Sequence, residues 1–475
     1  MRKLWKLAAV TGVAVAFGTM TSIGSAFATP PAGYGFDNTS HVIVGGGSDT
    51  TYRAQIGLSD LWAESGLSGC PHVTANGTST NACAANVNPE TSNQGNYQGD
   101  TIAQANPVGS STGIGSLNGS SGAASTYQGT VNPVPAGTCV TATPGVANVD
   151  FARSSRAPKT SGGKAPCGNE LTADTFWGYA QDGVEVNVFT AARGAQVQGA
   201  PSPALTPDDL FHIWNCSGGT GTGGRVRWSD VVPSISPGSA TDADIVPWQM
   251  NTGSGTFGTF QTYIQTNATG VPSGWSPNAQ SCDRALASGQ PPLENDIKPL
   301  VNDPAALATG TSADNPGNWI WWGSFGVFSA FPYTSNYTRS GTPTQAVAAP
   351  VNGILPSTSR IIANTYPIGR TLYNVTRKFD ADCAKTAGAC DFPGNPGPTV
   401  GATTDLNVTG GTSGTSGAVR EYTRWLCRVS TAQHGLDPFT GTSFFSEITT
   451  AINNAGFTVV PSALRSSGSR CQVLS

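Results

Sequence analysis

His41-Val-Ile-Val-Gly-Gly-Gly-Ser-Asp-Thr-Thr51 reads as a short apolar strand running into a glycine turn rich in hydroxyls, and Tyr52, Ile56, Ser59 and Trp62 beyond it carry helical spacing. Two further stretches repeat the design. One is the turn Gly109-Ser-Ser-Thr-Gly113; the other is Ile245-Val-Pro-Trp248, followed after three residues by Thr252-Gly-Ser-Gly-Thr256. Free backbone N–H groups at a helix start, joined by hydroxyls and approached closely through glycine, suit a small oxyanion. A single turn of this kind is ordinarily an N-cap in a chain with 60 glycines. Three of them, each after a strand, imply a shared pocket.

Strands alternating with helices mark the chain as α/β with mainly parallel sheets, in which ligands sit beyond the C-terminal ends of strands. At 475 residues there is room for two or three domains, and 38% hydrophobic content gives each a core. Charged residues make up 11%, against about 25% in ordinary domains. Gly, Ser, Thr, Asn and Pro fill the surface instead, as in exported proteins. Arg2, Lys3 and Lys6 precede an apolar stretch from Leu7 to Phe27, and Ala26-Phe-Ala28 fits a signal-peptide cleavage site. The mature chain is expected to begin at Thr29, with periplasmic or secreted residence and no lipid anchor. Loss of the leader takes away three positive charges and moves the formal net charge from −4 to −7, which excludes recruitment by nucleic acid.

Ten cysteines in an exported chain read as five disulfides. Pairing of near neighbours would give Cys70–Cys83, Cys139–Cys167, Cys216–Cys282, Cys383–Cys390 and Cys427–Cys471. A metal site has no support: there is no C-x-x-C pair, and the four histidines are not spaced as ligands.

Along the chain, residues 70 to 147 read as a loop-heavy insertion. Val146 to Phe151 and Gly183 to Phe189 read as strands, and Leu205 to Trp214 as a helix with Thr206 as cap and Pro207 at its first position. Thr256 to Gln265 is expected as a helix over the third turn. Residues 266 to 316 are loop-rich. Trp319-Ile-Trp-Trp322 and Phe325 to Phe331 form either a sugar-stacking platform or a buried strand pair, the second favoured. Ile361 to Tyr373 reads as an extended crossover. Cys390 to Gly417 reads as a loop, and Ala418 to Val429 and Ser443 to Ala455 as helices before a strand at Phe457 to Val460.

In this order the motifs resemble the phosphate-binding proteins of ABC phosphate importers, within the type II periplasmic binding protein class. Gly45 to Tyr52 resembles that family's first glycine turn, and Asn96-Tyr-Gln-Gly99 with Gly109-Ser110 its second. Val149-Asp-Phe-Ala-Arg-Ser-Ser-Arg-Ala-Pro158 is similar to a Val-Asp-Phe-Gly-Ala-Ser-Asp-Ala-Pro run, and Ser254-Gly-Thr256 to the third turn. Asp182 to Asn187, Leu205 to Trp214 with Trp228-Ser-Asp230, and Tyr366-Pro-Ile-Gly-Arg370 are similar to the inter-lobe and second-lobe segments. The resemblance implies two lobes, residues 29–182 with 366–475 and residues 183–365, clamping the ligand between them. It implies a monomer without cofactor that takes up phosphate or a similar oxyanion for an ABC permease. The pocket would combine Thr50 or Thr51, Ser110, Ser154, Ser155, Ser254, Gly255 and Thr256.

Two positions depart from the family. Where it has an Asp that accepts the proton of a protonated phosphate, this chain has Ser155, followed by Arg156; where it has an Arg four residues before Ser-Gly-Thr, this chain has Met250. The expectation is a rearranged site, with Arg156 supplying the charge and Asp49 the acceptor. Without Asp49 in the pocket, nothing would favour phosphate over sulfate or another oxyanion. Two other functions compete. One is a serine hydrolase using Ser111 of Gly109 to Gly113 with His212 or His434, although Ala103 to Val108 is a poor strand to carry a nucleophile. The other is an extracellular glycan-binding or adhesin protein using Trp319 to Trp322.

Overall fold

The computed structural model describes most of residues 43–64, 102–118, 151–200, 204–297, 316–329, 346–377, 418–428 and 441–475, together with the short paired strands 132–133 and 146–147. The leader, the segment Asn96 to Gly99, His434 and the cysteines at 70, 83, 139, 167, 383 and 390 lie outside the described residues.

The first glycine turn sits where the sequence placed it, between strand β1 (Ile43–Gly47) and helix α1 (Tyr52–Glu64). Strand β2 (Ile102–Gln104) pairs in parallel with β1, and helix α2 (Ser110–Leu117) starts directly after Gly109. A strand therefore does precede this turn. Beyond the strands β3 (Asn132–Pro133) and β4 (Val146–Ala147), which pair with each other, strand β5 (Phe151–Ser154) adds to the other edge of β1, again in parallel.

After a short helix α3 (Glu170–Ala173) comes the organising element of the fold, the strand β6 (Asp174–Phe189). The alternation from Gly183 to Phe189 is only its second half. Its first half pairs antiparallel with β10 (Gly369–Arg377), which in turn lies beside β5. Its second half belongs to another sheet, antiparallel to β8 (Trp319–Ser324) and β9 (Ala346–Ala349), with β7 (Val246–Pro247) parallel to β8. The result is a two-lobe α/β fold whose sheets share one long strand. Among the described strands, parallel pairing joins β2-β1-β5 and β7-β8, and the strands around the crossover are antiparallel. The C-terminal strands β11 (Thr458–Val459) and β12 (Gln472–Leu474) return to the first half of β6.

The second sheet is braced by aromatic packing. Trp319, Trp321 and Trp322 are fully buried. Trp322 stacks on Phe260 at 4.3 Å and meets Trp214 edge-on at 4.8 Å. Phe260 lies on helix α7 (Gly255–Asn267), and Trp214 ends helix α5 (Pro207–Trp214), so the strand holds in place the helix that carries the third turn. The apolar run beyond Ser324 continues as a helix, Phe325–Ser329, not as a second strand. Thr206 caps α5 through a capping box with Asp209, as the Thr-Pro-Asp-Asp sequence dictates. In the first lobe Trp62 of α1 packs against Tyr422 and Trp425 of the helix Ala418–Cys427. Disulfides Cys216–Cys282 and Cys427–Cys471 match two of the expected pairs. Among the described residues no helix is long and apolar enough to cross a membrane.

Candidate functional site

The three turns touch. The Gly109 N–H donates to the Gly47 carbonyl at 3.1 Å, and the Ser111 N–H donates to the Gly253 carbonyl at 3.0 Å. Gly109 has φ of 99°, and a Cβ there would run into the Gly253 backbone. Only glycine allows that approach. Gly47 and Gly113 meet backbone to backbone in the same way, so α2 seats directly on the first turn. All three turns lie past the C-terminal ends of the parallel strands β1, β2 and β7, where an open α/β sheet leaves its crevice.

Hydroxyls line the contact. Ser48 Oγ donates to Ser155 Oγ at 3.0 Å, the Ser155 N–H donates to Ser110 Oγ at 3.0 Å, and the two serine hydroxyls stand 3.3 Å apart. Gly255 packs against both, leaving no room for a side chain. Ser254 caps α7 by accepting from the Thr256 N–H at 3.1 Å. Thr50 Oγ1 and Thr256 Oγ1 face each other at 3.4 Å across the gap between the sheets.

Two of the charges at this point, Arg370 and Glu294, come from residues that the turn motifs did not include. Arg370, opposite Asp182 in the β10–β6 ladder, donates to Asp182 Oδ2 from Nε at 2.9 Å and from Nη2 at 2.6 Å. Its Nη1 donates to the Ser155 carbonyl at 3.1 Å and to Thr256 Oγ1 at 2.8 Å, and its Nη2 reaches Thr50 Oγ1 at 3.5 Å. Glu294, fully buried, accepts from Thr50 Oγ1 at 3.0 Å on each carboxylate oxygen and from the Thr256 hydroxyl, and stands 3.9 Å from Arg370 Nη2. Burial pushes the Glu294 carboxyl up to about 7 and nearby Asp49 adds to the rise, while Arg370 and the two threonine hydroxyls oppose it. Asp49, buried, thus faces the site electrostatically.

The remaining expected residues divide. Thr50, Ser110, Ser155, Gly255 and Thr256 converge as described. Thr51 is fully buried beside Tyr179, and Ser154 Oγ serves its own turn, donating to the Arg156 carbonyl at 2.9 Å. Arg156 requires a correction. Its guanidinium donates to both oxygens of buried Glu170, at 2.7 Å each, and to the Ala157 carbonyl at 2.9 Å. That fork is closed on its own carboxylate, and among the described residues the cation beside Thr50 and Thr256 is Arg370. Met250 is core, without exposure. Arg153 is fully buried as a brace, donating to the carbonyls of Ser48 and Gly45 and to Gln104 at 3.2, 2.8 and 2.7 Å. Ser111 lies within 3.4 Å of Arg156 Nη2, and His212 packs on the Phe211 ring at the far end of α5.

Sequence reasoning missed Glu294 because Pro291-Pro-Leu-Glu294 carries no motif. It noted Arg370 only as part of a crossover. The available signal was scarcity: in a chain with few charges, an arginine on one crossover strand and an aspartate on the other are candidates for a buried pair.

No protein-family profile and no curated protein matches the chain. Among solved structures it is similar to an ABC-type phosphate transport receptor from Vibrio cholerae (17% identity, TM-score 0.36, 71% of this chain and 87% of that one). It is also similar to a putative phosphate ABC transporter substrate-binding protein with bound phosphate from Clostridium perfringens (13%, 0.39, 88% and 100%). A third is a possible phosphate binding protein from Planctomyces limnophilus (16%, 0.33, 71% and 82%). Likeness at these scores fixes neither family nor ligand.

Proposed function

We propose that this chain is an exported solute-binding protein that captures a small inorganic oxyanion, phosphate above all, in the crevice between the lobes 29–182 with 366–475 and 183–365, for delivery to an uptake system such as an ABC permease. One observation carries the reading: two hydroxyls from opposite sheets and the Arg370 guanidinium converge at a point that already holds an anion, the Glu294 carboxylate. Donors fixed in a water-poor crevice are strong anion ligands, and a guanidinium fork suits a tetrahedral oxyanion. Asp49 would serve as acceptor for the proton of a protonated phosphate, which sulfate at neutral pH does not carry. The glycan reading loses its platform, because Trp319, Trp321 and Trp322 lie in the core. The hydrolase reading is disfavoured by Ser111 facing Arg156.

Calorimetric titration of the purified chain, stripped of ligand, with inorganic phosphate and with sulfate tests this. One-to-one phosphate binding that disappears in Arg370→Ala is expected. Silence toward both anions, in the wild-type chain and in one whose Glu294 carboxylate has been removed, would reject the reading.

A further inference from the structure

From the hydrogen bonds of Glu294 we infer that its carboxylate is a tethered competitor, occupying the oxyanion site in the unliganded chain and leaving it when a free anion binds. The inference rests on the oxyanion reading and adds a built-in brake to it. Glu294 follows Pro291-Pro-Leu293 at a short helical turn, in which the Leu293 N–H donates to the Asp296 carboxylate at 2.9 Å. The same segment is tied to the third glycine turn, because the Asn251 N–H donates to the Pro292 carbonyl at 2.8 Å. Glu294 therefore travels with Thr256, and its bond to Thr50 crosses to the other sheet. Both carboxylate oxygens take the Thr50 proton, one also takes that of Thr256, and Arg370 stands beside it. These are the donors a free oxyanion would need. One set cannot serve two anions in a buried space that also holds Asp49, so binding requires Glu294 to withdraw. A buried carboxylate is tolerated only while paired, which keeps Glu294 in place until a ligand supplies equivalent charge. Tethering gives the carboxylate a high effective concentration without intrinsic tightness, so a free oxyanion can still displace it.

The test is titration of wild type, Glu294→Ala and Glu294→Gln with inorganic phosphate and with sulfate at neutral pH, with circular dichroism to establish that each chain is folded. The expected result is phosphate binding at least tenfold tighter in Glu294→Ala than in wild type, with sulfate moving the same way. Glu294→Gln, which keeps the shape and removes the charge, should fall between them and serves as the readout if the alanine chain does not fold. Phosphate binding by wild type that is equal or weaker in both variants overturns the inference and leaves the oxyanion reading standing. Wild type silent with Glu294→Ala binding supports both, and folded chains all silent overturn both.

Discussion

Two buried arginine–carboxylate pairs lie close together in this molecule, and they are built differently. Arg156 and Glu170 meet fork to fork, two bonds of 2.7 Å, and the leftover acceptor capacity of Glu170 goes to the Lys159 N–H at 2.9 Å. Arg370 gives Asp182 two bonds to one oxygen and keeps Nη1 and the outer side of Nη2 for Thr256, the Ser155 carbonyl and the neighbourhood of Glu294. The second oxygen of Asp182 is taken by the Gly326 N–H at 2.9 Å. A closed pair holds loops together. An open one, anchored on a crossover strand and extended into a crevice, has donors left for a third anion.

Breaking the closed pair should give the largest change and leave function alone. Arg156→Ala strands a fully buried Glu170 and is expected to cost about 3–5 kcal/mol of stability, read as a lowered denaturation midpoint. Phosphate affinity of the folded fraction should stay within about threefold of wild type. Weakened affinity with unchanged stability would restore Arg156 to the site. Arg370→Ala should do the reverse on binding, lowering phosphate affinity about 100-fold or more, equivalent to about 2.7 kcal/mol, since a charge-assisted donor pair is lost from a buried anion site. An Arg370→Ala chain that is folded and binds phosphate normally would dissolve the comparison.

Asp49 sharpens it at smaller amplitude. If its carboxylate accepts the ligand's proton, Asp49→Ala lowers phosphate affinity about tenfold and leaves sulfate unchanged or improved, because only phosphate loses a partner. Equal effects on both anions would remove Asp49 as the acceptor.

How much of this was legible in the sequence depends on range. The turns at Gly45, Gly109 and Ser254, the capping box at Thr206 and the apolar β8 are local patterns, and they stand in the structure where local chemistry put them. The length of β6 was not legible, because its first half carries Asp174, Gln181 and Asp182 and lacks the alternation of a half-buried strand. Nor was the charge assignment. Arg156 stands two residues beyond β5 and was the natural substitute for a missing arginine. Its partner Glu170 and the competing Arg370 are 14 and 214 residues away, and only tertiary structure decides between them. Glu294 lies 244 residues from Thr50, with Leu293 and Pro292 as its local context.

The smallest expected effect separates the paired carboxylate from the interposed one by pH. The Glu294 carboxyl is raised from an ordinary 4.5 to about 7, burial first, so between those values the folded chain holds a proton that the unfolded chain has released. Stability from this group is fully present below about 4.5 and is lost as pH rises through about 7, the reverse of a salt-bridged carboxylate whose value is depressed. Burial raises Asp283 to about 7 in the same direction. Wild type should therefore melt lower at pH 8 than at pH 5 on account of Glu294. Glu294→Gln should flatten that slope, leaving the part due to Asp283. Asp49 and Arg370 act on Glu294, so the difference between the chains reads Glu294 together with its coupling to them. A slope unchanged by Glu294→Gln would mean that Arg370 and the threonine hydroxyls hold Glu294 ionised across the whole range, as firmly paired as Glu170, and the open and closed arrangements would differ in geometry alone.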